Sequence, residues 1–260
     1  MNGNERNVLV VQERDRRLLR ELGVLRVADR EQIGIVAGFH STTRANVRLL
    51  RLTQAGLLRR FFLGTTGKKS LYALSAKGAE LVQVPLRGPR RRQDEILVAD
   101  YFIEHQLAVN RLYCNLKFSP IPIAGVTFAV WKSFGKALAD GLRLIPDGYV
   151  EFVTPAGQAA AFLEVDLGHE SLRIWQGKIR NYKQLAIPGE YQRRFAKTPF
   201  RVCVIAHSER RMHSIRREVA KLTDKLFWLT SLDQIERSGF FGPIWFRPLE
   251  HQPKGFMEHQ

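Results

Sequence analysis

Cysteine is scarce in this chain, which has two among its 260 residues, Cys114 and Cys203. Two thiols so far apart in sequence exclude a framework of several disulfides and a zinc site built on paired cysteines. This cysteine usage is typical of a reducing compartment, and we expect the protein in the cytoplasm.

Long apolar runs are also missing. The longest nearly uncharged stretch, FSPIPIAGVTFAVW at 118–131, contains two prolines and is shorter than a bilayer span. The first residues, MNGNERNVLV, are polar and lack the basic and apolar regions of a signal peptide. The sequence therefore predicts no membrane segment.

Acidic residues are few relative to basic ones. The chain has 25 Asp and Glu against 41 Lys and Arg, a formal net charge of +16. Such an excess says little about the fold, but it favours nucleic acid as a partner. The hydrophobic content of 45% is sufficient for one large or two modest cores.

Motifs of several enzyme classes are absent as well. The chain contains no GxSxG and no HxH, which disfavours a serine hydrolase and a relaxase with clustered histidines. The stretch GTTGKKS at 64–70 lacks the four-residue gap of a phosphate-binding loop, so we do not interpret it as a nucleotide site.

Residues 14–83 have the pattern of a winged helix-turn-helix domain. A first amphipathic helix ends near Gly23, and Asp29 with Gln32 forms a predicted capping box for a second helix that Gly38 ends. Ser41 can cap a third helix. The segments LLRRFFL and LYALS then predict two strands joined by a turn.

The third helix is the candidate reader of double-stranded DNA. Ala45, Leu49 and Leu52 form an apolar stripe at helical spacing, which places the other side of the helix in solvent. Arginine, asparagine and threonine suit contacts to bases and phosphates in the major groove. The predicted DNA-binding residues are Thr42, Thr43, Arg44, Asn46, Arg48 and Arg51 on the helix, with Lys68 and Lys69 in the turn. The alternatives are solvated charges without a ligand, or a domain that serves in dimerisation or protein docking.

A basic linker is predicted at 84–93, since VPLRGPRRR combines prolines, glycine and arginines. The second predicted domain, 94–250, begins with a helix from about Asp94 to Tyr113 and continues as an α+β or α/β fold. Its strands are predicted at 126–133, 144–153, 160–168, 200–208 and 225–235, and its further helices at 171–185 and 209–222.

Acids gather in a predicted hairpin of this domain. If Val153 pairs with Gln158, antiparallel counting places Asp147 opposite Glu164. Glu164 and Asp166 share one strand face, about 6.6 Å apart. Three converging carboxylates would repel one another, and Mg²⁺ or Mn²⁺ would remove that cost and could serve phosphodiester chemistry. The alternative is an ion-pair network with the nearby cations Arg143, Arg173, Lys178 and Arg180.

The stretch P146-D147 followed by E164-V-D166 resembles the PD-(D/E)xK nuclease superfamily, whose motif spans two adjacent strands followed by a helix. The resemblance implies a restriction-endonuclease-like fold in which Asp147 and Glu164 bind metal. The third position, usually a lysine that assists the attacking water, is Asp166 here. Asp166 is then a further metal ligand or a base, and Lys178 is the candidate replacement for the lysine.

Over about residues 14–249 the chain resembles the replication-relaxation family, through GLLRR…LYALSAKG, IPDGYVEF, FLEVDLGHE, KIRNYKQL and W245-F-R-P. That resemblance implies a protein of a plasmid or integrative element that acts in replication or relaxation of its DNA, with other replication or mobilisation proteins as partners and a possible homodimer. Two hypotheses follow. The second domain is a Mg²⁺-dependent endonuclease that nicks DNA, or it is a degenerate nuclease-like domain in a non-catalytic replication factor or transcriptional regulator.

Overall fold

The computed structural model describes residues 9–64, 69–97, 101–138, 142–187, 190–195 and 200–258. The chain divides into two compact units, residues 1–118 and 119–260. The first unit therefore contains the predicted 84–93 linker and the long helix after it, which the sequence placed in the second domain.

The first unit begins with three helices, in the predicted order. Its described elements are α1 (Glu13–Leu25), β1 (Ala28–Asp29), α2 (Arg30–Ala37), α3 (Thr42–Gln54), β2 (Leu58–Leu63), β3 (Lys69–Leu74), α4 (Ala76–Val82), β4 (Ile96–Leu97) and α5 (Tyr101–Phe118). Asp29 accepts a hydrogen bond from the Gln32 amide at 2.9 Å, which completes the predicted capping box of α2. Gly38 ends α2 with φ at +67°, a conformation that glycine adopts without strain.

The described strands of the first unit form one sheet in the order β1-β3-β2-β4. The β2–β3 ribbon was predicted, whereas β1, β4 and helix α4 were not. Strand β4 runs parallel to β2 and occupies residues that the sequence assigned to a helix from about Asp94. That helix begins at Tyr101 within the described residues, because the preceding segment pairs with the sheet.

Helix α5 is fixed to the first unit by two buried amide side chains. Gln32 donates to the Leu107 carbonyl at 2.8 Å, and Asn110 donates to the carbonyls of Leu25 and Val27 at 3.0 and 2.6 Å. Buried amides are retained where they satisfy backbone carbonyls, so these bonds explain why α5 belongs to this unit.

The second unit is a mixed α/β fold. Its described elements are β5 (Thr127–Lys132), β6 (Gly148–Thr154), β7 (Gly157–Asp166), α6 (Leu172–Leu185), α7 (Glu190–Phe195), β8 (Arg201–Ala206), α8 (Glu209–Ala220), β9 (Phe227–Ser231), α9 (Leu232–Ser238), β10 (Pro243–Trp245) and β11 (Lys254–Gly255). In the described chain, β5 to β9 form a five-stranded sheet in sequence order; β5, β6 and β7 are antiparallel, and β7, β8 and β9 are parallel.

The predicted register of the β6–β7 hairpin is confirmed. Val153 pairs with Gln158, and Thr154 also pairs with Gly157, so the connecting loop is shorter than the predicted four residues. Gly157 has φ at +120°, which favours glycine at this turn. The ladder ends at the pair Gly148 and Leu163, one step before Asp147 and Glu164.

Helix α6 covers one face of this sheet with a helical stripe of buried side chains. Trp175, Ile179, Tyr182 and Leu185 pack with Phe162 of β7 and with apolar residues of β8 and α8. Ser171 caps the helix by accepting from the Ile174 amide. The predicted last strand is correct over Phe227–Ser231, after which the chain turns into α9. None of the described helices is both long enough and apolar enough to cross a membrane.

We predict that Asp29→Ala lowers the free energy of unfolding by about 1 kcal/mol, because α2 loses its cap and the ion pair of Asp29 with Lys69 at 2.8 Å is removed. Asp29→Asn is the matched control, since an amide oxygen can still cap the helix. Urea unfolding should be followed by circular dichroism, because all four tryptophans lie in the second unit. Equal loss in both variants would assign the effect to the ion pair instead.

Candidate functional site

Helix α3 presents a polar, partly basic face to solvent. Ala45, Leu49 and Leu52 are buried as predicted, and Ser41 caps the helix. Among the predicted DNA-binding residues, Thr42, Thr43, Arg44, Asn46 and Arg51 are exposed. Within the described residues, neither Arg44 nor Arg51 has an ion-pair partner. These two cations are available to an anionic ligand.

Arg48 does not belong to this face, which corrects its predicted exposure. Its guanidinium forms a two-pronged ion pair with the fully buried Asp15 of α1, with Nε to Oδ1 at 2.9 Å, and it also bonds the Val10 carbonyl at 2.7 Å. The hydrogen bonds to Asp15 raise the pKa of Arg48 above its ordinary value. Arg48 therefore joins α1 to α3 and is not free to contact a base.

Two apolar side chains that the sequence analysis did not include lie on the exposed face. Val47 and Leu50 are 49% and 48% exposed, and they follow Thr43 at helical spacing. The same spacing that identified the buried stripe would have found them. Apolar side chains on such a face are suited to contact thymine methyl groups.

The predicted lysines of the β2–β3 turn are only partly described. Lys68 lies outside the described residues. Lys69 is half exposed, and its ammonium group pairs with the Asp29 carboxylate at 2.8 Å.

In the second unit, Asp147 stands at the entrance to β6. Its backbone amide donates to the Leu163 carbonyl at 3.2 Å, and its Oδ2 accepts from the Val165 amide at 2.7 Å. The carboxylate thus extends the hairpin ladder to the level of Glu164, as the register predicted.

Glu164 is fully buried on β7 and accepts two hydrogen bonds from α6. Lys178 Nζ donates to Oε2 at 2.8 Å, and the Tyr182 hydroxyl donates to Oε1 at 2.5 Å. Burial raises the pKa of Glu164 to about 7, and the neighbouring Asp147 charge adds to the rise against the opposing effect of Lys178. Tyr182 is therefore both a packing residue of α6 and a hydrogen-bond donor to this carboxylate.

Lys178 lies between two carboxylates. Its Nζ is 2.8 Å from Oε2 of Glu164 and 2.8 Å from Oε2 of Glu170, and it lies over the Trp175 ring. Burial would lower the pKa of Lys178, but Glu164, Glu170 and Asp147 outweigh that effect and raise it, so the side chain stays cationic. The Lys178 ammonium group therefore supplies the positive charge beside Glu164 that a bound metal ion would otherwise supply.

Asp166 points to the same side of the sheet as Glu164 but has different partners. Its oxygens accept from Arg211 Nε at 2.9 Å, from the second Arg211 nitrogen at 2.8 Å, from Trp175 Nε1 at 2.6 Å and from the Gly168 amide at 2.7 Å. Burial alone would raise the pKa of Asp166, yet the bonds from Arg211 and Trp175 lower it. The carboxylate has no acceptor capacity left for another ligand.

The cations that neutralise the acids are only partly those proposed from sequence. Lys178 is confirmed as a partner, whereas Arg143, Arg173 and Arg180 form no ion pair within the described residues. The cation that the sequence did not indicate is Arg211 on α8, which lies 45 residues after Asp166 and pairs with it. Sequence spacing does not indicate this contact, because it depends on how α8 packs against the sheet.

The carboxylates are oxygen ligands of the type that Mg²⁺ prefers, but their arrangement does not fit the ion. Both oxygens of Glu164 and both of Asp166 are already hydrogen-bonded. Across the part of the chain that the structure describes, no group of three or more His, Cys, Asp or Glu side chains is arranged to hold a metal. Asp147 is close enough to Glu164 to affect its pKa, whereas Asp166, on the same side of the sheet, bonds to Arg211, Trp175 and the Gly168 amide.

The buried Glu164 predicts a pH dependence. A carboxyl whose folded-state pKa is raised stabilises the fold less as pH rises from about 4.5 to about 7, because the folded state retains a proton that the unfolded state has lost. We expect this fall to be about 3 kcal/mol in wild type and to vanish in Glu164→Gln. Tryptophan fluorescence during urea unfolding at several pH values measures it in the second unit.

The control is Glu209→Gln, which removes a carboxylate from the exposed start of α8. It should retain the wild-type pH profile. A Glu164→Gln profile parallel to that of wild type would show that Glu164 is ionised at every pH tested.

Comparison with known proteins gives one relationship. Residues 19–200 match the family model described as Replication-relaxation. No match was found among curated proteins or among solved structures. The matched region includes α3, the β6–β7 hairpin, Glu164 and Lys178. The chain belongs to the replication-relaxation family.

Proposed function

We propose that the protein is a DNA-binding factor in the replication of a plasmid or integrative element, and that its second unit supports assembly without catalysing cleavage. The observation that carries the proposal is the solvent face of α3, where Arg44 and Arg51 have no ion-pair partner while Thr43 and Asn46 lie beside them. Family membership supports the role in replication. Duplex DNA and other replication or mobilisation proteins are the proposed partners.

Three observations favour a winged helix-turn-helix for the first unit. Helices α1, α2 and α3 precede a β2–β3 ribbon, α3 has a buried apolar stripe, and its opposite face is polar. A recognition helix of this kind lies in the major groove, where arginine binds guanine or phosphate and asparagine binds adenine. The chain's net charge of +16 would add sequence-independent affinity for the phosphate backbone.

The second unit is proposed to be a restriction-endonuclease-like domain that has become structural. Its mixed sheet with α6 after the acidic hairpin is consistent with that superfamily. The charge balance supports the non-catalytic alternative, because Lys178 neutralises Glu164 and Arg211 neutralises Asp166 without a metal. A buried acid that is paired with a lysine or an arginine does not need a divalent cation to balance its charge.

A Mg²⁺- or Mn²⁺-dependent endonuclease is the second candidate function, and one observation favours it. Lys178 lies against Glu164, and Asp147 is close enough to affect the pKa of both. Asp147, Glu164 and Lys178 therefore lie close together. This is expected if Lys178 performs the role of the superfamily's lysine, whose usual position is occupied here by Asp166. Cleavage would require Lys178 to release Glu164.

We predict that Arg44→Ala and Arg51→Ala each weaken binding to duplex DNA, by about 1–3 kcal/mol where a bidentate base contact is lost. The slope of log affinity against log salt should become shallower by about one for whichever arginine contacts phosphate. Fluorescence anisotropy over a series of salt concentrations measures both quantities.

Arg173→Ala is the matched control, because it removes an exposed arginine from the second unit. Arg48→Ala should behave differently: it leaves Asp15 buried without its cation and is expected to cost about 3 kcal/mol of stability. Unchanged duplex affinity in both Arg44→Ala and Arg51→Ala would show that α3 does not contact DNA.

For the second unit, we predict that supercoiled plasmid stays supercoiled in the presence of the protein with Mg²⁺ or Mn²⁺. Agarose gel electrophoresis separates the supercoiled, nicked and linear forms. Calorimetry with the same ions should show no metal binding that depends on Asp147 and Glu164, because the positive charge of Lys178 already offsets their negative charge.

The endonuclease hypothesis gives the opposite results. Nicking would require a divalent ion, would disappear in Glu164→Ala and would slow in Lys178→Ala, and metal binding would be lost in Asp147→Asn/Glu164→Gln. DNA affinity should change little in these variants, because the acids would act on the transition state and not on the ground-state complex.

A further inference from the structure

A concavity lies on the first unit where the basic 84–93 segment meets the start of α5. Its volume is about 870 Å³. The lining residues are Pro89, Arg90, Arg91, Arg92, Glu95, Phe102 and Ile103. None of them belongs to α3, so this is a second surface of the first unit with its own chemistry.

The basic segment is held in place by the sheet beneath it. Arg59 of β2 donates to the Pro89 carbonyl at 2.7 Å and to the Arg91 carbonyl at 3.1 Å. The Asp94 amide donates to the Arg60 carbonyl at 2.7 Å, just before β4 joins the sheet. The backbone of the segment is therefore fixed, and it presents Arg90, Arg91 and Arg92 on the surface.

The charge of the concavity is positive. Arg90, Arg91 and Arg92 are all exposed, and Glu95 is the acid among the lining residues. Glu95 accepts from the Arg92 amide at 3.1 Å and lies 3.8 Å from an Arg91 nitrogen, so it offsets only part of the cationic charge. Neither Arg90 nor Arg92 forms a side-chain ion pair among the described residues.

An aromatic ring lies in this basic surface. Phe102 is 80% exposed, the highest exposure among the large apolar side chains of the described chain. The next residue, Ile103, is buried with Phe61 and Leu71, which fixes the first turn of α5 to the core and with it the position of Phe102. A solvent-exposed phenyl ring on a fixed backbone presents a flat apolar surface that a planar ligand can stack on.

We propose that this concavity binds single-stranded DNA, with a base stacked on Phe102 and the adjoining phosphates on Arg90 and Arg92. Aromatic side chains beside a cationic track are the features by which proteins bind unpaired strands without sequence preference. A duplex would satisfy the arginines but not the ring, because its bases are stacked on one another. The site is separate from α3 and would contact a strand that has been unpaired.

The test is fluorescence anisotropy with three probes: an oligothymidylate, a fully abasic strand of the same length and a duplex. Phe102→Ala should weaken oligothymidylate binding about tenfold and leave the abasic strand unaffected, since only the first probe has bases to stack. Phe102→Trp should retain or improve binding. Arg90→Ala/Arg92→Ala should weaken binding of both single strands and reduce the salt dependence.

Two controls separate this site from other causes. Arg173→Ala/Arg180→Ala removes the same charge from exposed positions of the second unit and should have a smaller effect on single strands. Arg44→Ala should weaken duplex binding and spare the oligothymidylate, so failure of the α3 proposal and failure of this one give different results.

The proposal is overturned if Phe102→Ala, shown by circular dichroism to be folded, binds oligothymidylate as wild type does. It is also overturned if that variant loses equal affinity for the abasic strand, or if the two double arginine variants have equal effects. The last result would mean that net charge alone accounts for binding.

Discussion

The burial of carboxylates, and the cations that this burial requires, ties helices α3, α6 and α8 to the rest of their units. A buried carboxylate is tolerated only with a partner of opposite charge or several donors. Glu164 obtains its cation from α6 and Asp166 obtains its cation from α8. Both helices are thus tied to the sheet by charge as well as by apolar contacts, those of Trp175 and Tyr182 on α6 and of Met212 and Ile215 on α8. The same pairings occupy the oxygens of both acids with hydrogen-bond donors from the protein itself.

The first unit uses the same arrangement on a smaller scale. Asp15 on α1 is buried and is neutralised by Arg48, which α3 contributes from a position facing α1. This pair separates the arginines of α3 into a structural one and two exposed ones, Arg44 and Arg51. The sequence alone therefore does not show which arginines of this helix are exposed, because a buried acid on a neighbouring helix can pair with one of them.

Sequence patterns that involve nearby residues predicted more of this structure than patterns that involve residues far apart in the chain. The caps at Asp29 and Ser41 and the pairing of Val153 with Gln158 depend on residues a few positions apart, so the sequence was sufficient to place them. The partnership of Asp166 with Arg211 and that of Asp15 with Arg48 depend on which helix packs on which strand, and neighbouring residues do not encode that. The short strands β1 and β4 were missed for the same reason, since each exists because a distant strand offers it a partner.

The departure of Asp166 from the nuclease pattern involves more than one residue. A lysine at this position would place an ammonium group against the Arg211 guanidinium, and it would remove the acceptor of the Trp175 indole N–H. The repulsion of two partly buried cations would cost far more than the loss of a surface pair. Asp166, Arg211 and Trp175 therefore form a unit in which each residue requires the others. Restoring the lysine alone would leave Arg211 without its anion, so a catalytic site of the common type would need compensating changes on α6 and α8.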